Sequence, residues 1–577
     1  KYNEISEKNQ SYSLRYNIAL DYELMRNLNL RVSAGIDYNQ QNQNTFKPRA
    51  LDAYTHFSSS EGTITKDLSI LNENLLTYTY NYLDKHNLKI MLGLSFQKDQ
   101  SFNNKGKAMN GPNDKIHYVG AGWGGANGLN NTGTAADPFY VSAFEYSSGF
   151  SEERMNSYFG RLTYNYKEKY LFEATLRRDG SSVFGEDVRW ATFPSIAVGW
   201  TFSDEKFMKP FYWLSFGKIR ASWGVSGQKF SQRYLSQGLL SANGTTFHGD
   251  IAMFPDIRGG VINKKLSWEE TNQYDLGFDL SFLDYRLRLV IDYYYRYTKG
   301  QLNQISLPGD IYYHQFQWQN GMAISNQGLE LELEADILRH TAVKWKMKFN
   351  ASRNWNRFEK SADGFDFMEQ VIGKPLHQIK VFKTDGFYNS LDEVPVYYLA
   401  NKEVQPLYSG ITAGIYLPGS RRLVDLNGDG RITEDADVYF AESPLPLAHG
   451  GFINQLRWKN FDLNIFFNYS LGRHIVKVYD DVSMTANGSA KPLFVDVNDV
   501  KIWTEAGSKA DYPKSQVYAY LMNQTSGRYD CDIESVSFLR LKQLTLGYNV
   551  GERVLNKLKI SGARIFVTGE NLFLLTN

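Results

Sequence analysis

The chain lacks several features that indicate common soluble or helical classes. Its single cysteine, Cys531, excludes an intrachain disulfide and a cysteine-based metal cluster. The net charge of +1 supports no argument from bulk electrostatics for nucleic acid or anionic lipid as a partner. No apolar run approaches the roughly 20 residues of a membrane helix. Because Lys1-Tyr2-Asn3 opens no signal peptide, we expect that a leader was removed or that the chain is part of a longer protein.

What the sequence does contain is an alternation with a period of two residues. Residues 328–334 read Gly-Leu-Glu-Leu-Glu-Leu-Glu, which places leucines on one face of a strand and glutamates on the other. Such segments recur about sixteen times with no helical stretch between them. Strands of this kind need an apolar surround and a wet interior, so the pattern predicts an all-β fold, an antiparallel transmembrane β-barrel. The 39 Tyr and 36 Phe fit its interfacial girdles.

The alternating segments are arranged in pairs. They lie near residues 12–24, 30–43, 70–83, 86–100, 154–168, 170–182, 191–204, 216–228, 268–281, 285–299, 325–337, 342–355, 447–458, 460–471, 535–549 and 559–570. Connections within pairs are mostly tight, and the long ones between pairs are 44–69, 101–153, 229–267, 300–324, 356–446 and 472–534. Bacterial barrels have short periplasmic turns, so the long loops are predicted to be extracellular. On this parity the chain ends on the outer side, and we expect a closing strand to be missing.

The alternation also predicts the register of the strands. In Trp345-Lys346-Met347-Lys348-Phe349-Asn350 the lysines lie opposite Trp, Met and Phe. A slip by one residue would turn these lysines towards lipid, at a cost of roughly 2–4 kcal/mol each near the midplane. The alternative, a soluble sandwich with one wet face, needs connections of similar length at both ends.

Several motifs then follow one another in a recognisable order. They are Arg178-Asp179-Gly180-Ser181-Ser182-Val183-Phe184-Gly185, Phe193-Pro194-Ser195, Ile219-Arg220-Ala221-Ser222-Trp223-Gly224-Val225-Ser226-Gly227-Gln228, Leu266-Ser267-Trp268-Glu269, Lys383-Thr384-Asp385-Gly386, Asp425-Leu426-Asn427-Gly428-Asp429-Gly430, Phe538-Leu539-Arg540-Leu541 and Gly569-Glu570-Asn571-Leu572. Together, over about residues 12–577, they resemble the SusC/RagA-type TonB-dependent transporters.

The resemblance implies a partial barrel of 1–577, with about 16 of 22 strands and without the plug, the TonB-contacting segment or the last strand. It also implies the outer membrane as location, import of glycans or peptides, a SusD-like lipoprotein as partner, and TonB acting through the plug region. The 356–446 and 472–534 segments would be its large extracellular loops.

The segment 425–437 resembles a calcium-binding loop. Oxygen ligands are expected at its positions 1, 3 and 5, a glycine at 6 and a backbone oxygen at 7. The candidate ligands for a structural Ca²⁺ are Asp425, Asn427, Asp429, Arg431 (through its backbone oxygen), Thr433, Asp435 and Asp437. Position 12 is Ala436 instead of a bidentate acid, so Asp435 or Asp437 would have to substitute. The alternative is an acidic loop of Asx turns.

Aromatic residues in the predicted external loops are the candidates for ligand contact. Sugar rings stack on aromatic side chains, and exposed apolar patches mark ligand or partner surfaces. The candidates are Tyr312, Tyr313, Phe316, Trp318, Trp123, Tyr397 and Tyr398. The alternative is that these rings pack loop against loop, or against the lipoprotein.

Other patterns give no indication of an enzyme. Gly120-Ala121-Gly122-Trp123-Gly124-Gly125 matches a dinucleotide pattern but lacks the flanking strand and helix. Glu330, Glu332 and Glu334 are interpreted as solvated wall and not as a glycosidase pair. No Ser/His/Asp group is found, so no catalytic residue is predicted.

Energised import is therefore the leading functional hypothesis. The alternatives are a passive porin, a siderophore or cobalamin receptor, and a surface glycan-binding β protein without transport. The absent upstream sequence would separate a porin from an energised transporter.

Overall fold

The computed structural model describes most of the chain. The described ranges are 5–51, 58–109, 113–118, 144–238, 240–247, 250–255, 260–308, 316–366, 370–398, 404–409, 414–476, 501–511 and 529–576. Their strands, in chain order, are β1 (Ser6–Met25), β2 (Leu28–Lys47), β3 (Ser59–Tyr82), β4 (His86–Met109), β5 (Phe144–Tyr166), β6 (Tyr170–Ser181), β7 (Trp190–Thr201), β8 (Leu214–Gln228), β9 (Leu240–Phe247), β10 (Asp250–Pro255), β11 (Glu269–Phe282), β12 (Leu287–Ser306), β13 (Phe316–Leu338), β14 (Val343–Lys360), β15 (Lys380–Phe382), β16 (Thr384–Phe387), β17 (Val396–Tyr398), β18 (Val404–Pro406), β19 (Tyr408–Ser409), β20 (Gly414–Ile415), β21 (Arg421–Leu423), β22 (Arg431–Ile432), β23 (Val438–Phe440), β24 (Ala448–Trp458), β25 (Phe461–Leu471), β26 (His474–Val476), β27 (Ile533–Ser535), β28 (Phe538–Asn549) and β29 (Arg564–Thr576).

Helical structure within these ranges is short. Residues Glu552–Leu558 form an α-helix, α1. The 3-10 helices are Arg49–Leu51, Glu186–Val188, Phe202–Asp204, Lys206–Met208, Leu391–Glu393 and Asp530–Asp532. Over the described ranges, every helix is too short or too polar to cross a membrane.

Sixteen strands form one antiparallel sheet. Within this sheet the strands lie side by side in the same order as they occur in the chain. The order is β1-β2-β3-β4-β5-β6-β7-β8-β11-β12-β13-β14-β24-β25-β28-β29. Each of these strands overlaps one of the sixteen segments predicted from the alternation, which confirms the prediction of an all-β, sixteen-stranded antiparallel fold. The remaining strands form small sheets within the long connections.

The strands extend further than the alternation indicated. Ser59 pairs with Met109 on β3 and β4, and Lys107 pairs with Glu145 on β4 and β5, all in segments that were assigned to loops. Polar residues and glycines interrupt the alternation in the extensions of β3 and β4, although Ala108 there is buried against Phe46. The backbone ladder continues because its hydrogen bonds do not depend on side-chain polarity.

Tight turns close the hairpins as the sequence predicted. Leu83 and Asp84 between β3 and β4 have φ values of 52° and 51°, and Lys167 and Glu168 between β5 and β6 have 54° and 56°. Positive φ at both central residues is the type I′ geometry, whose twist matches that of the paired strands. The N–H of Lys85 donates to the carbonyl of Tyr82 at 3.1 Å and completes the first of these turns.

The two faces of the sheet have the exposure pattern of a membrane protein. On β4, Leu92 is 56% exposed and Leu94 is 42% exposed, whereas Ser95 on the opposite face is only 6% exposed. On β7, Ile196 is 44% exposed, Val198 is 48% exposed and Trp200 is 37% exposed, all on one face. An apolar face of this extent turned outward is unfavourable in water and favourable in lipid, which argues against the soluble sandwich.

The chain divides into two compact units, each with its own apolar cluster. The first unit comprises Lys1–Lys209, Lys218–Leu276 and Tyr295–Ile324, and the second comprises Pro210–Gly217, Gly277–Tyr294 and Ser325–Asn577. The motif core, in the first unit, consists of Val183, Phe184, Phe193, Phe230, Leu266 and Trp268. The loop core, in the second, consists of Phe382, Tyr388, Val394, Leu407, Tyr416, Leu423 and Ile432.

Candidate functional site

The motif core explains several of the motifs that carry the resemblance. The ring of Phe184 lies 4.7 Å from that of Trp268 and 5.0 Å from that of Phe230. The indole N–H of Trp268 donates to the carbonyl of Arg189 at 3.1 Å. A Cβ at Gly227 would lie 1.9 Å from the ring of Phe193, so this position requires glycine. These residues therefore hold connections together, a role that the sequence did not reveal.

One of the aromatic ligand candidates, Trp318, packs against this core, and Phe316 lies beside it. The rings of Phe316 and Trp318 are 6.4 Å apart and perpendicular, and Trp318 packs against the motif core. The Asn263 amide donates to the carbonyl of Trp318 at 2.9 Å. Both residues belong to β13 instead of a loop, and their contact with an imported ligand stays a prediction. The other members of that group, Tyr312 and Tyr313, lie outside the described residues, as does Trp123.

Tyr397 is brought together with the predicted cation loop. Its hydroxyl donates a hydrogen bond to the carboxylate of Asp425, and its ring lies against Gly430, where a Cβ would be 2.7 Å from Cγ of the tyrosine. Burial and the hydrogen bond to Asp425 raise the pKa of Tyr397 to about 12. Tyr397 thus has a structural role in this loop. The neighbouring Tyr398 belongs to β17, and its side chain is outside what the structure describes.

The first half of the 425–437 loop is ordered by its own oxygens. Asp425 accepts hydrogen bonds from the N–H of Gly428 at 2.7 Å and of Gly430 at 2.8 Å. The Asn427 Oδ1 accepts from the N–H of Asp429 at 3.1 Å, and the Asp429 Oδ1 accepts from that of Arg431 at 2.8 Å. Burial opposes ionisation of Asp425, but the hydrogen bonds from Gly430, Tyr397 and Gly428 outweigh it and lower the pKa of this carboxyl.

The second half of the loop is closed by Asp437. This carboxylate is fully buried and accepts from the N–H of Leu426 at 2.9 Å and of Thr433 at 2.7 Å, whereas Asp435 is exposed. Across the described ranges, no three His, Cys, Asp or Glu side chains are grouped so as to hold a metal ion. A cation here would therefore depend on Asn427 and backbone oxygens as well, and its binding stays a prediction.

The two long connections, 356–446 and 472–534, are tied to each other, which the sequence did not predict. Asp530 accepts hydrogen bonds from the N–H of Thr384 at 3.1 Å and from the hydroxyl of Tyr439 at 3.3 Å. The Arg421 guanidinium lies 4.9 Å from the ring of Tyr529 and 3.5 Å from the carboxylate of Asp532. The second connection therefore docks on the small sheets of the first.

A cavity of about 640 Å³ lies on the polar face of the second unit, towards the loop end of β13, β14, β24 and β25. This polar-face pocket is lined by Glu332, Lys348, His449, Phe466, Asn468, Arg473 and Phe538, among others. Among the described residues, none donates a hydrogen bond to the buried Oδ1 of Asn468. Lys348 is oriented by the Glu334 carboxylate at 2.7 Å.

The floor of this pocket depends on two consecutive glycines. A Cβ at Gly450 would lie 2.0 Å from the carbonyl oxygen of Asn350, so β24 can approach β14 only without a side chain there. The N–H of Gly451 donates to the Asn350 Oδ1 at 2.6 Å. The pocket therefore combines hydrogen-bonding groups, charges of both signs and the aromatic rings of Phe349, Phe466, Tyr469 and Phe538. Of these positions, the sequence interpreted Glu332 as solvated wall.

Comparison with known proteins adds the family. Residues 2–489 match the family model described as TonB dependent receptor-like, beta-barrel. The chain belongs to this family. The barrel fold and the resemblance to SusC/RagA-type proteins are thereby confirmed, and this TonB-dependent receptor is an outer-membrane protein.

The curated relatives that this chain matches are longer than the chain. TonB-dependent receptor P3 of Formosa agariphila is 30% identical over 100% of this chain and 54% of its own length. TonB-dependent receptor SusC of Bacteroides thetaiotaomicron is 27% identical over 99% of this chain and 53% of its own length. The chain thus spans about half the length of the relatives it matches.

A solved structure of the RagAB peptide transporter superposes with a TM-score of 0.76 at 21% identity, covering 100% of this chain and 59% of that one. At this identity the match shows the fold alone. An open-open state of the RagAB peptide importer has a TM-score of 0.77 at 20% identity, covering 100% and 58%.

Proposed function

We propose that the chain is the wall of a TonB-coupled importer that carries oligosaccharides, or alternatively peptides, across the outer membrane. In this proposal a SusD-like lipoprotein covers the external mouth, and TonB acts through a plug region. The proposal is supported by membership of the receptor family and by similarity to SusC, and the peptide alternative by the fold shared with the RagAB transporter.

The observation that carries the proposal is the polar-face pocket. Its volume of about 640 Å³ lies within the usual range for ligand sites, ≈ 300–1,000 Å³. Oligosaccharides and peptides present both donors and acceptors, and the Asn468 amide offers one of each beside Ser470 and His449. The rings of Phe466 and Phe538 add apolar surface for a sugar face or an aliphatic side chain.

The pocket is tested best by two matched asparagines on β25. Asn468 lines the polar-face pocket, whereas Asn464, on the same face of the strand, lines a different cavity nearer the turns. We expect Asn468→Ala to weaken binding of the imported ligand about tenfold, which corresponds to one hydrogen bond of about 1.4 kcal/mol. Asn464→Ala should leave the affinity unchanged. Calorimetry of the purified full chain with oligosaccharide and peptide panels would measure both, and equal effects of the two variants would refute this site.

Energy coupling separates the importer from its alternatives. Uptake of the bound ligand by cells should stop when TonB is deleted, since the plug then has no source of force. Uptake that persists would assign a passive porin, and binding without uptake a surface-binding protein. A ferric siderophore or cobalamin as the only bound ligand would assign the receptor alternative.

A further inference from the structure

A second cavity lies at the opposite, turn end of the second unit. Three connections surround it, those that lead into β8, from β11 to β12, and from β13 to β14. Its volume is about 520 Å³. We call it the turn-end pocket, and the residues used below are Tyr212, Trp213, Leu283, Ile337 and Arg339. Neither the family match nor the proposed importer assigns it a role.

The turn-end pocket opens where the apolar face of the sheet ends. The ring of Trp213 is stacked on that of Phe282 at 5.8 Å, and Phe282 continues the apolar positions of β11, where Tyr274 is 51% exposed. Ile337 likewise continues the alternate positions of Leu329 to Leu333 on β13. One wall of the pocket is therefore formed by the apolar side chains at the turn end of the face that we assign to lipid.

The next position in the β13 alternation, after Ile337, is Arg339. One Nη of its guanidinium donates to the carbonyl of Asp284 at 2.8 Å, and no carboxylate of the described residues pairs with it. Four of its five N–H donors are thus available to an anionic group. Arg286 and His340 also line the pocket, against the single acid Asp284, so the pocket is basic overall.

Hydrogen bonds between the three connections hold the turn-end pocket in shape without a ligand. Arg286 donates to the carbonyls of Asp336 at 2.9 Å and Ile337 at 2.6 Å, which joins one turn to the next. The N–H of Leu283 donates to the carbonyl of Trp213 at 2.9 Å and joins the third. Tyr212 is 89% exposed at the rim, an arrangement that is costly in water and favourable at the membrane interface.

We propose that the turn-end pocket binds the phosphodiester headgroup of a membrane phospholipid, with the acyl chains along the apolar face of β11 and β13. A guanidinium matches the geometry of a phosphate with two parallel N–H donors. The apolar wall beside it suits the acyl chains and would be left wet by inorganic phosphate. The lipid belongs to the leaflet at the short-turn end, which loop parity assigns to the periplasmic side.

The test is a native mass spectrometry titration of the delipidated full chain with a short-chain phosphatidylglycerol. We expect Arg339→Gln to weaken binding about tenfold. Arg339→Lys should weaken it less, because lysine keeps the positive charge but lacks the paired N–H donors of a guanidinium. Lys85→Gln, a cation removed from a different short turn, is the matched control and should have no effect. Inorganic phosphate at the same concentration should not displace the lipid.

Tyr212→Ala supplies an independent variant, since this side chain is too exposed to be needed for folding. It should weaken lipid binding several-fold, whereas Tyr285→Ala, which removes a ring that is 62% exposed and outside the pocket, should not. Unchanged affinity in both Arg339→Gln and Tyr212→Ala would overturn the proposal. Displacement by inorganic phosphate would overturn it in favour of a simple anion site.

Discussion

The hydroxyl of Tyr397 donates to the carboxylate of Asp425, and the same ring covers Gly430, whose φ is +80°. Two groups that the sequence treated as separate candidates, an aromatic ligand contact and a cation loop, thus form one structure. The carboxylate that begins the loop is held by a tyrosine from β17, and the glycine that permits its bend has no room for a side chain. The loop is also anchored to the loop core by Ile432, whose side chain is fully buried.

This hydrogen bond predicts a measurable titration. The pKa of Tyr397 is raised to about 12 by burial and by Asp425, from an ordinary value of 10.0. Between these pH values an unfolded tyrosine ionises while the folded one stays protonated. The contribution of Tyr397 to stability is therefore complete below pH 10 and lost as the pH rises through about 12.

The absorbance difference between the wild-type chain and Tyr397→Phe isolates this one ionisation. We expect its midpoint near pH 12, and a lower midpoint in an Asp425→Asn background, because the negative charge and the acceptor are both weakened. An unchanged midpoint in Asp425→Asn would contradict the contact.

The motif core should dominate the stability of the first unit. Phe184 is 1% exposed and packs between Trp268 and Phe230, so Phe184→Ala leaves a cavity as well as losing buried area. We expect a loss of about 3–5 kcal/mol in the free energy of unfolding, measured by denaturant titration in lipid vesicles. Phe365→Ala, at a position 74% exposed, is the control and should change it by less than about 0.5 kcal/mol. Similar losses in both variants would show that the motif core is not a specific stabilising unit.

The wall of the fold could be predicted from the sequence because each strand is defined by its own alternation. The alternate leucines from Leu329 to Leu333 define one face of β13, and the alternate glutamates from Glu330 to Glu334 define the other. No distant residue is needed to recognise this pattern. The ends of the strands were missed where polar residues and glycines interrupt the alternation, as in β3 and β4 near Ser59 and Lys107. There the backbone pairing continues and the pattern does not.

The sites were harder to predict because they depend on residues far apart in the chain. Thr384 and Asp530 are 146 positions apart and meet at 3.1 Å, which no local pattern indicates. The turn-end pocket likewise joins three connections through arginine and carbonyl groups. By contrast, the 425–437 loop was recognisable because its oxygens are spaced along one short segment, although its contact with Tyr397 was not.

The apolar face of β13 can be tested with one pair of neighbouring substitutions. Leu331→Lys places a charge on the face that meets lipid, whereas Glu330→Lys places the same charge on the polar face. We expect the first to cost roughly 2–4 kcal/mol of unfolding free energy in vesicles, because Leu331 lies near the middle of its strand, and the second to cost about 0–1 kcal/mol. Denaturant titration in the same vesicles measures both. A larger cost for Glu330→Lys would reverse the assignment of faces.

Calcium binding by the 425–437 loop is the remaining prediction, and we propose it as a structural clamp. Hydrogen bonds already preorganise Asp425, Asn427 and Asp429, but position 12 is Ala436 and Asp437 is occupied by the N–H groups of Leu426 and Thr433. A site without its bidentate acid should be weak, with a dissociation constant of about 10⁻⁴–10⁻³ M. Calorimetry should show such binding in the wild-type chain and its loss in Asp429→Ala, with Asp392→Ala as the control outside the loop.

Ala436→Glu sharpens the test because it restores the missing ligand without removing any existing contact of the Ala436 side chain. If the loop binds calcium in the expected way, this variant should bind about tenfold more tightly, a gain of about 1.4 kcal/mol. At a calcium concentration of 100 times the dissociation constant, the fold should gain about 2.7 kcal/mol of stability. No heat at millimolar calcium in either the wild-type chain or Ala436→Glu would refute the site. The segment would then be a loop of Asx turns held by Tyr397 and Asp437 alone.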